Sequence, residues 1–213
     1  KLGRHEQAAD ALGRVVSLTP NDAAAWRELA NELTRLDKTG QAVAALEKAV
    51  SLNPKDAAAW RALAVLHQRA GRNDEAAKAF GQALAARPDD PATRRDLGWL
   101  LWTQGRRDEA VARLAEAIEA GIEAHDRVIY QVVARLSEEG AGEKALAFLR
   151  KVNPGEPPSS LGLALARAGR LRAAEPILAG AWQSGEKTPD IGLYLAYARA
   201  VNGQFAEIGN YLE

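Results

Sequence analysis

Cysteine is absent from these 213 residues, and so is methionine, even at position 1. Without cysteine there is no disulfide, no thiolate nucleophile and no cysteine-held metal, although such a chain survives in either redox compartment. The missing methionine, with Lys1 near the end of what should be a first helix, predicts a fragment of a longer protein. Net charge is missing too: 28 cationic residues balance 28 acidic ones. The balance holds within 1–124 (18 against 18) and within 125–213 (10 against 10). The broad basic footprint that nucleic acid requires is therefore lacking, and nucleic acid is not an expected partner. No apolar run approaches the roughly 20 residues that cross a bilayer, and no signal-peptide pattern opens the chain, so direct membrane insertion is not expected. Strand signals are nearly absent, since β-branched residues never alternate with polar ones over a useful length.

What the chain does have is an echo. AAAWRELANEL begins at Ala23, and AAAWRALAVLH begins 34 residues later at Ala57. Matching tails follow each, and Pro20, Pro54 and Pro88 fall 34 apart, as do Asp22, Asp56 and Asp90. A fixed period of this length marks stacked helical hairpins, each burying its apolar face only against its neighbours. Trp26, Leu29, Ala30 and Leu33 follow the i, i+3, i+4, i+7 rule of an amphipathic helix. Trp60, Leu63, Ala64 and His67 repeat it with one polar exception. Second helices read through Ala42, Leu46, Ala49 and Val50, then Ala76, Phe80, Ala83 and Leu84. Small residues recur at matched places (Ala30, Ala64, Gly98, Gly162, Ala196), where a larger side chain would hold two helices apart. Gly71, Gly105, Gly169 and Gly203 stand just past first helices, where a left-handed backbone ends a helix cheaply. Asp22, Asp56 and Asp90 are placed to cap the next first helix, and Pro91 suits its first position.

The W-x-x-L-[AG]-x-x-L/H run, the following glycine, the recurring Ala with a large apolar residue four on, and the closing Pro resemble the tetratricopeptide repeat. Residues 23–56, 57–90 and 91–124 are close matches, and 1–22 supplies the latter part of an earlier unit. Residues 125–154 form an irregular unit with one extra residue near Gly140. Residues 155–188 recover the register, and 189–213 are a partial unit broken off near Leu212. The segment 153–160 reads as a shortened first helix beginning near Pro157, not as a domain boundary. The fold class expected is all-α: one array over 1–213, a right-handed α-α superhelix.

The resemblance implies that first helices line the concave side of that superhelix. On that geometry Arg27, Arg61 and Arg95 occupy the first groove place in three successive units and form a positive ladder able to grip carboxylates bidentately. The alternative is a solvated face in which these arginines pair with Glu28 or Asp96. Asn31, Val65 and Trp99 take the second place; Thr34, Gln68 and Trp102 take the third. Trp99 and Trp102 lie off the expected core stripe and are read as exposed anchors for apolar side chains, with Tyr130 beside them. Tyr194 and Tyr197 repeat the arrangement in the last unit. Self-packing within the groove is the other reading of these aromatics. Trp26 and Trp60 are assigned to the core between paired helices, and Trp182 to packing against the following repeat. The carboxylate clamp of chaperone-binding relatives is not expected, because Ala62, Ala92 and Asp96 stand where its ligands belong. The asparagine ladder of sugar-transferase superhelices fails as well, since only Asn31 fits.

Catalytic and metal chemistry finds no footing. His5, His67 and His125 are scattered, and Ala9 stands where a zinc-protease helix opening at His5 needs its second histidine. His67 takes a core position and is expected to be a satisfied buried imidazole. The glycines at 140 and 142 lack the ending and the preceding strand of a phosphate loop. Ser159 and Ser160 sit beside no candidate base. The function expected is a non-enzymatic adaptor, without cofactor, that grips a protein or peptide partner with acidic groups and apolar anchors. The rival readings are a spacer or self-assembling arm of a larger bacterial protein, with homo-oligomers, and a regulatory module fused to an enzyme. An Ala- and Arg-rich composition is compatible with a bacterial source, in cytoplasm or periplasm.

Overall fold

The structure, a computed structural model, describes residues 2–122, 125–206 and 208–211, without the side chains of Leu2, His125 and Asp126. Two features of the sequence reading, the His125 imidazole and the end of the last unit at Leu212, lie outside the described residues. The chain divides into two compact units, Lys1–Ala120 and Gly121–Glu213. No strand occurs among the described residues.

The first unit holds α1 (Leu2–Leu18), α2 (Ala23–Arg35), α3 (Thr39–Leu52), α4 (Ala57–Arg69), α5 (Asn73–Ala86), α6 (Pro91–Thr103) and α7 (Arg107–Glu119). Helices α2 and α3, α4 and α5, and α6 and α7 pair as antiparallel hairpins; α3 then packs on α4 and α5 on α6. The expected capping is present. Asp22 accepts from the amides of Ala24 and Ala25, Asp56 from Ala59 and Asp90 from Thr93, and Pro91 opens α6. Each satisfies amides that the helix itself leaves open.

First helices end in a Schellman turn, in which the amides of Arg72 and Arg106 reach back to the carbonyls of His67 and Leu101. Gly71 and Gly105 supply the positive φ that this turn needs. The same turn after α2 is made by Asp37 at φ 59°, the one non-glycine residue in the left-handed region among those described.

The small residues at matched places do what their spacing predicted. Ala30 and Ala64 are fully buried, and a Cβ added at Gly98 would stand 2.7 Å from Leu114. Leu46, Phe80 and Leu114 fill the positions opposite and are themselves almost wholly excluded from solvent. Truncating one of these to Ala should cost about 2–5 kcal/mol, transfer and cavity together.

Two core assignments need correction. Trp26 and Trp60 are half-buried rather than enclosed between their helices. Each indole N–H donates to a proline carbonyl in the preceding turn, Trp26 to Pro20 at 2.9 Å and Trp60 to Pro54 at 3.0 Å. The polar edge must stay near that carbonyl, which holds the ring at the rim. One repeat later Arg94 does the same job, donating to the Pro88 carbonyl at 2.6 Å. His67 is buried as expected but not satisfied: its Nδ1 has no hydrogen-bond partner. Burial, and secondarily the charge of Arg72, lowers its pKa below 6.5, with Glu47 and Glu75 opposing.

The second unit holds α8 (His125–Glu138), α9 (Gly142–Val152), α10 (Pro158–Arg167), α11 (Leu171–Gln183), α12 (Pro189–Val201) and a 3₁₀ turn, Ile208–Tyr211. Helix α8 carries the extra residue of the irregular unit, and α10 is the shortened helix expected after Pro157. Helix α11 packs on α8 and α9 as well as on α10. Glycine allows this approach: a Cβ on Gly142 would meet Pro176, and one on Gly180 would meet Leu146, each at 2.4 Å. Trp182 packs edge-on against Tyr211 at 5.3 Å, contacting the following partial repeat as the sequence predicts.

Two measurements test this account. Asp37→Gly should stabilise the fold by about 0.5–1 kcal/mol in urea titration, because it relieves a left-handed L-residue; a loss of stability would mean that the Asp37 side chain contributes more than its backbone strain costs. Because the folded pKa of His67 is depressed, the unfolded chain takes up the proton first. Stability is therefore full above pH 6.5 and lost as pH falls through the depressed value. His67→Leu should flatten the decline in Tm below pH 6.5; parallel wild-type and variant curves would contradict the assignment.

Candidate functional site

Helices α2 and α4 bound an open groove of about 470 Å³ in the first unit, floored by Ala58, Ala62, Val65 and Leu66. Its polar walls are Asn31, Thr34, Arg35, Arg61 and Arg69. Four of the predicted groove-facing positions thus come together: Asn31, Thr34, Arg61 and Val65. Three guanidinium groups line the groove, and no carboxylate does. The hydroxyl of Thr34 is committed to the Ala30 carbonyl at 2.7 Å. The Asn31 amide makes only a long contact with Glu28, at 3.4 Å.

Of the three arginines expected to form the ladder, Arg61 lines the groove; Arg27 is tied to the cap residue of α4, Arg61 to α6 and Arg95 to the adjacent Asp96. Arg27 donates to Asp56 at 2.5 Å, and the other oxygen of that carboxylate caps α4. The hydrogen bond to Asp56 raises the Arg27 pKa above its ordinary value against a smaller effect of burial. Arg61 donates through Nε (3.0 Å) and Nη2 (2.6 Å) to one oxygen of Asp96, while Arg95 donates twice to the other, at 3.0 and 2.7 Å. Arg61 and Arg95 thus both pair with Asp96, and Arg27 also makes a longer contact with Glu28 at 3.4 Å, the pairings that the alternative reading names. Asp56 was the partner missed. Its cap spacing was legible, but a carboxylate has a second oxygen, and the residue opposite it is set by helix packing.

Arg35 and Arg69 were missed altogether. They too lie 34 residues apart, and each stands two turns beyond Arg27 or Arg61 on the same face, so the period itself could have found them. Arg35 pairs with Glu32 at 2.6 Å, whereas exposed Arg69 has no acidic partner among the described residues.

The aromatic anchors divide. Trp99 is half-buried, but Trp102 is only 4% exposed, which overturns its reading as an exposed anchor. Its ring tilts against Trp99, centroids 5.9 Å apart, and lies under the Arg107 guanidinium at 5.0 Å. Stacking and cation–π attraction reward covering it. In the second unit Tyr130 is half-buried with Arg170 over its ring, and Arg170 is held in turn by Glu138. Tyr194 is half-buried. Tyr197 is 56% exposed and belongs to a stripe with Leu193 and Val201, at i, i+4 and i+8 along α12.

His5 pairs with Glu32 at 2.6 Å, and Ser159 donates to Glu186, tying α10 to the turn after α11. Among the described residues no cluster of His, Asp or Glu is arranged to hold a metal ion. No described helix is long and apolar enough to cross a membrane.

Stacked hairpins with capped first helices and a side-chain groove between them define a helical-repeat protein. The tetratricopeptide repeat profile matches residues 19–164, more than half of the chain, and the chain belongs to that family. No curated protein sequence matches it significantly. Among solved structures, MamA aligns at 19% identity and TM-score 0.64, over 70% of this chain and 87% of its own. YrrB, described as a TPR protein with an unusual peptide-binding site, aligns at 22% and 0.60, over 91% of this chain and all of its own. PilW, described as a type IV pilus biogenesis factor, aligns at 25% and 0.53, over 89% and 90%.

The Asp96 bridge is testable by a double-mutant cycle. Arg61→Ala with Asp96→Ala should show a coupling of about 0.5–1 kcal/mol in low salt, smaller in 1 M NaCl. Zero coupling in low salt would mean that the bridge contributes nothing to holding α4 to α6.

Proposed function

We propose that this protein is a non-catalytic scaffold whose groove between α2 and α4 captures an extended acidic segment of a partner protein. Membership of the tetratricopeptide repeat family fits an interaction scaffold, and no catalytic family is indicated. The observation that carries the finer reading is the groove wall of Arg35, Arg61 and Arg69 without a facing carboxylate. Arg69 is the grip, because it is exposed and has no partner to give up. Arg61 and Arg35 are already held by their own acids, which orients them and limits how far an incoming carboxylate can claim them. Asn31 is placed to meet the backbone of an extended segment. A groove held in shape before binding lowers the ordering cost of capture. Half-exposed Trp99 in the first unit, and Tyr194 with exposed Tyr197 in the second, are suited to receive apolar side chains; Tyr130, already under Arg170, is a lesser contributor. The peptide-binding description of YrrB supports a peptide as the class of ligand. The single-array organisation over 1–213 belongs to the same proposal.

A second reading, self-association, is favoured by one observation: Leu193, Tyr197 and Val201 are each more than half exposed on one face of α12. Light scattering separates the two readings, since a strict monomer at high concentration removes the second.

The first reading is tested with a fluorescein-labelled ten-residue peptide of alternating Glu and Ala. Arg61→Ala with Arg69→Ala should weaken its binding by roughly tenfold and flatten the salt dependence. Unchanged affinity and salt slope would remove the proposal.

A further inference from the structure

A larger cleft lies on the other side of α2. Trp26, Leu29 and Leu33 form its floor, α1 and α3 are its walls, and its volume is about 1140 Å³. At about 100° per residue these three residues point roughly 160° away from Asn31, Thr34 and Arg35. The cleft and the groove between α2 and α4 are therefore on opposite faces of one helix.

Three cations, Arg14, Lys38 and Lys48, stand on its rim with one acid, Asp10. All four are exposed, and among the described residues none is engaged in an ion pair. This contrasts with Arg27, Arg35, Arg61 and Arg95, each held by a carboxylate. Leu18 also lines the cleft and is 83% exposed. One period later Glu47 and Lys78 replace Gly13 and Ala44 of the walls; two periods later Gly81 and Ala112 are small again, but Arg94 stands in place of Trp26.

We propose that this cleft docks an acidic amphipathic helix of a partner protein. The apolar floor requires an apolar stripe, and the unpaired cations select acidic flanks. A helix fits better than an extended strand for a physical reason. The floor is hydrocarbon, where the open backbone groups of a strand would be desolvated without partners, whereas a helix satisfies its own. The walls run from Asp10 to Leu18 and from Lys38 to Lys48, about 12–15 Å at helical rise, room for roughly three turns.

The test uses a fluorescein-labelled 18-residue helical peptide with Leu at i, i+3, i+4 and i+7 and Glu elsewhere, and a second peptide with Lys in place of Glu. The Glu peptide should bind, and the Lys peptide should bind at least about tenfold more weakly. Arg14→Glu, Lys38→Glu and Lys48→Glu together should lose roughly tenfold, the sum expected of a few rim ion pairs. Gly13→Leu, placed where a Cβ meets no atom within 4 Å, should fill the cleft and block binding without disturbing helicity by circular dichroism. If Gly13→Leu does not fold, the charge-reversed variant still decides. Arg61→Ala with Arg69→Ala should leave this binding intact, which separates the proposal from the groove on the other face. Absence of binding, equal binding of both peptides, or loss only in the Arg61 and Arg69 variant would overturn it. So would concentration-dependent self-association that Gly13→Leu abolishes, since a second copy would then be the occupant.

Discussion

On four of the first helices, α2, α4, α6 and α10, a small residue lies under a large apolar one sixteen positions later, and these hairpins depend on that pairing. Gly98 lies under Leu114 and Gly162 under Leu178, with room for no added Cβ in either place. Ala30 with Leu46 and Ala64 with Phe80 hold the same spacing, all four almost wholly buried. Close approach of two helix backbones lets the larger side chain bury fully, and burial of this kind is the main term that offsets ordering the chain. No single hairpin encloses a core by itself, so stability accumulates through neighbours.

The turns convert this packing into a register. Trp26, Trp60 and Arg94 each donate to the carbonyl of a proline six residues earlier, so one contact is made by two chemically different side chains. What the position requires is a long side chain with an N–H at its end. Asp56 holds the start of α4 with one oxygen and Arg27 with the other, which couples a helix cap to the preceding repeat. Asp96 takes an arginine on each oxygen. Much of the positive charge facing the groove is thereby used within the fold. Of the cations lining the groove and the cleft, Arg69 beside one face of α2 and Arg14, Lys38 and Lys48 beside the other are held by no described carboxylate, and an acidic partner as proposed would meet the least competition there.

Legibility followed distance along the chain. Caps at Asp22, Asp56 and Asp90, glycine stops and the small residues at 30, 64 and 98 are local or strictly periodic, and each was read correctly. His67 and Trp102 were misjudged for related reasons. Residue type and helical phase place a side chain on a face, but they do not say what covers that face. Trp102 is off the core stripe by phase, yet Arg107 and Trp99 close over it. His67 is on the stripe by phase, yet nothing opposite offers its Nδ1 a partner. The groove itself was half legible: Asn31, Thr34, Arg61 and Val65 were placed by the repeat, while Arg35 and Arg69 were passed over.

By itself, the amino-acid order determined the helical-hairpin repeat, its period, its caps and stops, and the irregular helices around residues 125–160. These are set by backbone hydrogen bonding and by apolar periodicity within one or two turns. Only the tertiary structure decided which arginines are spoken for, which aromatics are covered, where the chain separates into two compact units and that α2 has a usable hollow on each face. Those outcomes turn on which oxygen, ring or void each side chain meets once the helices have packed, and helical phase alone does not carry that.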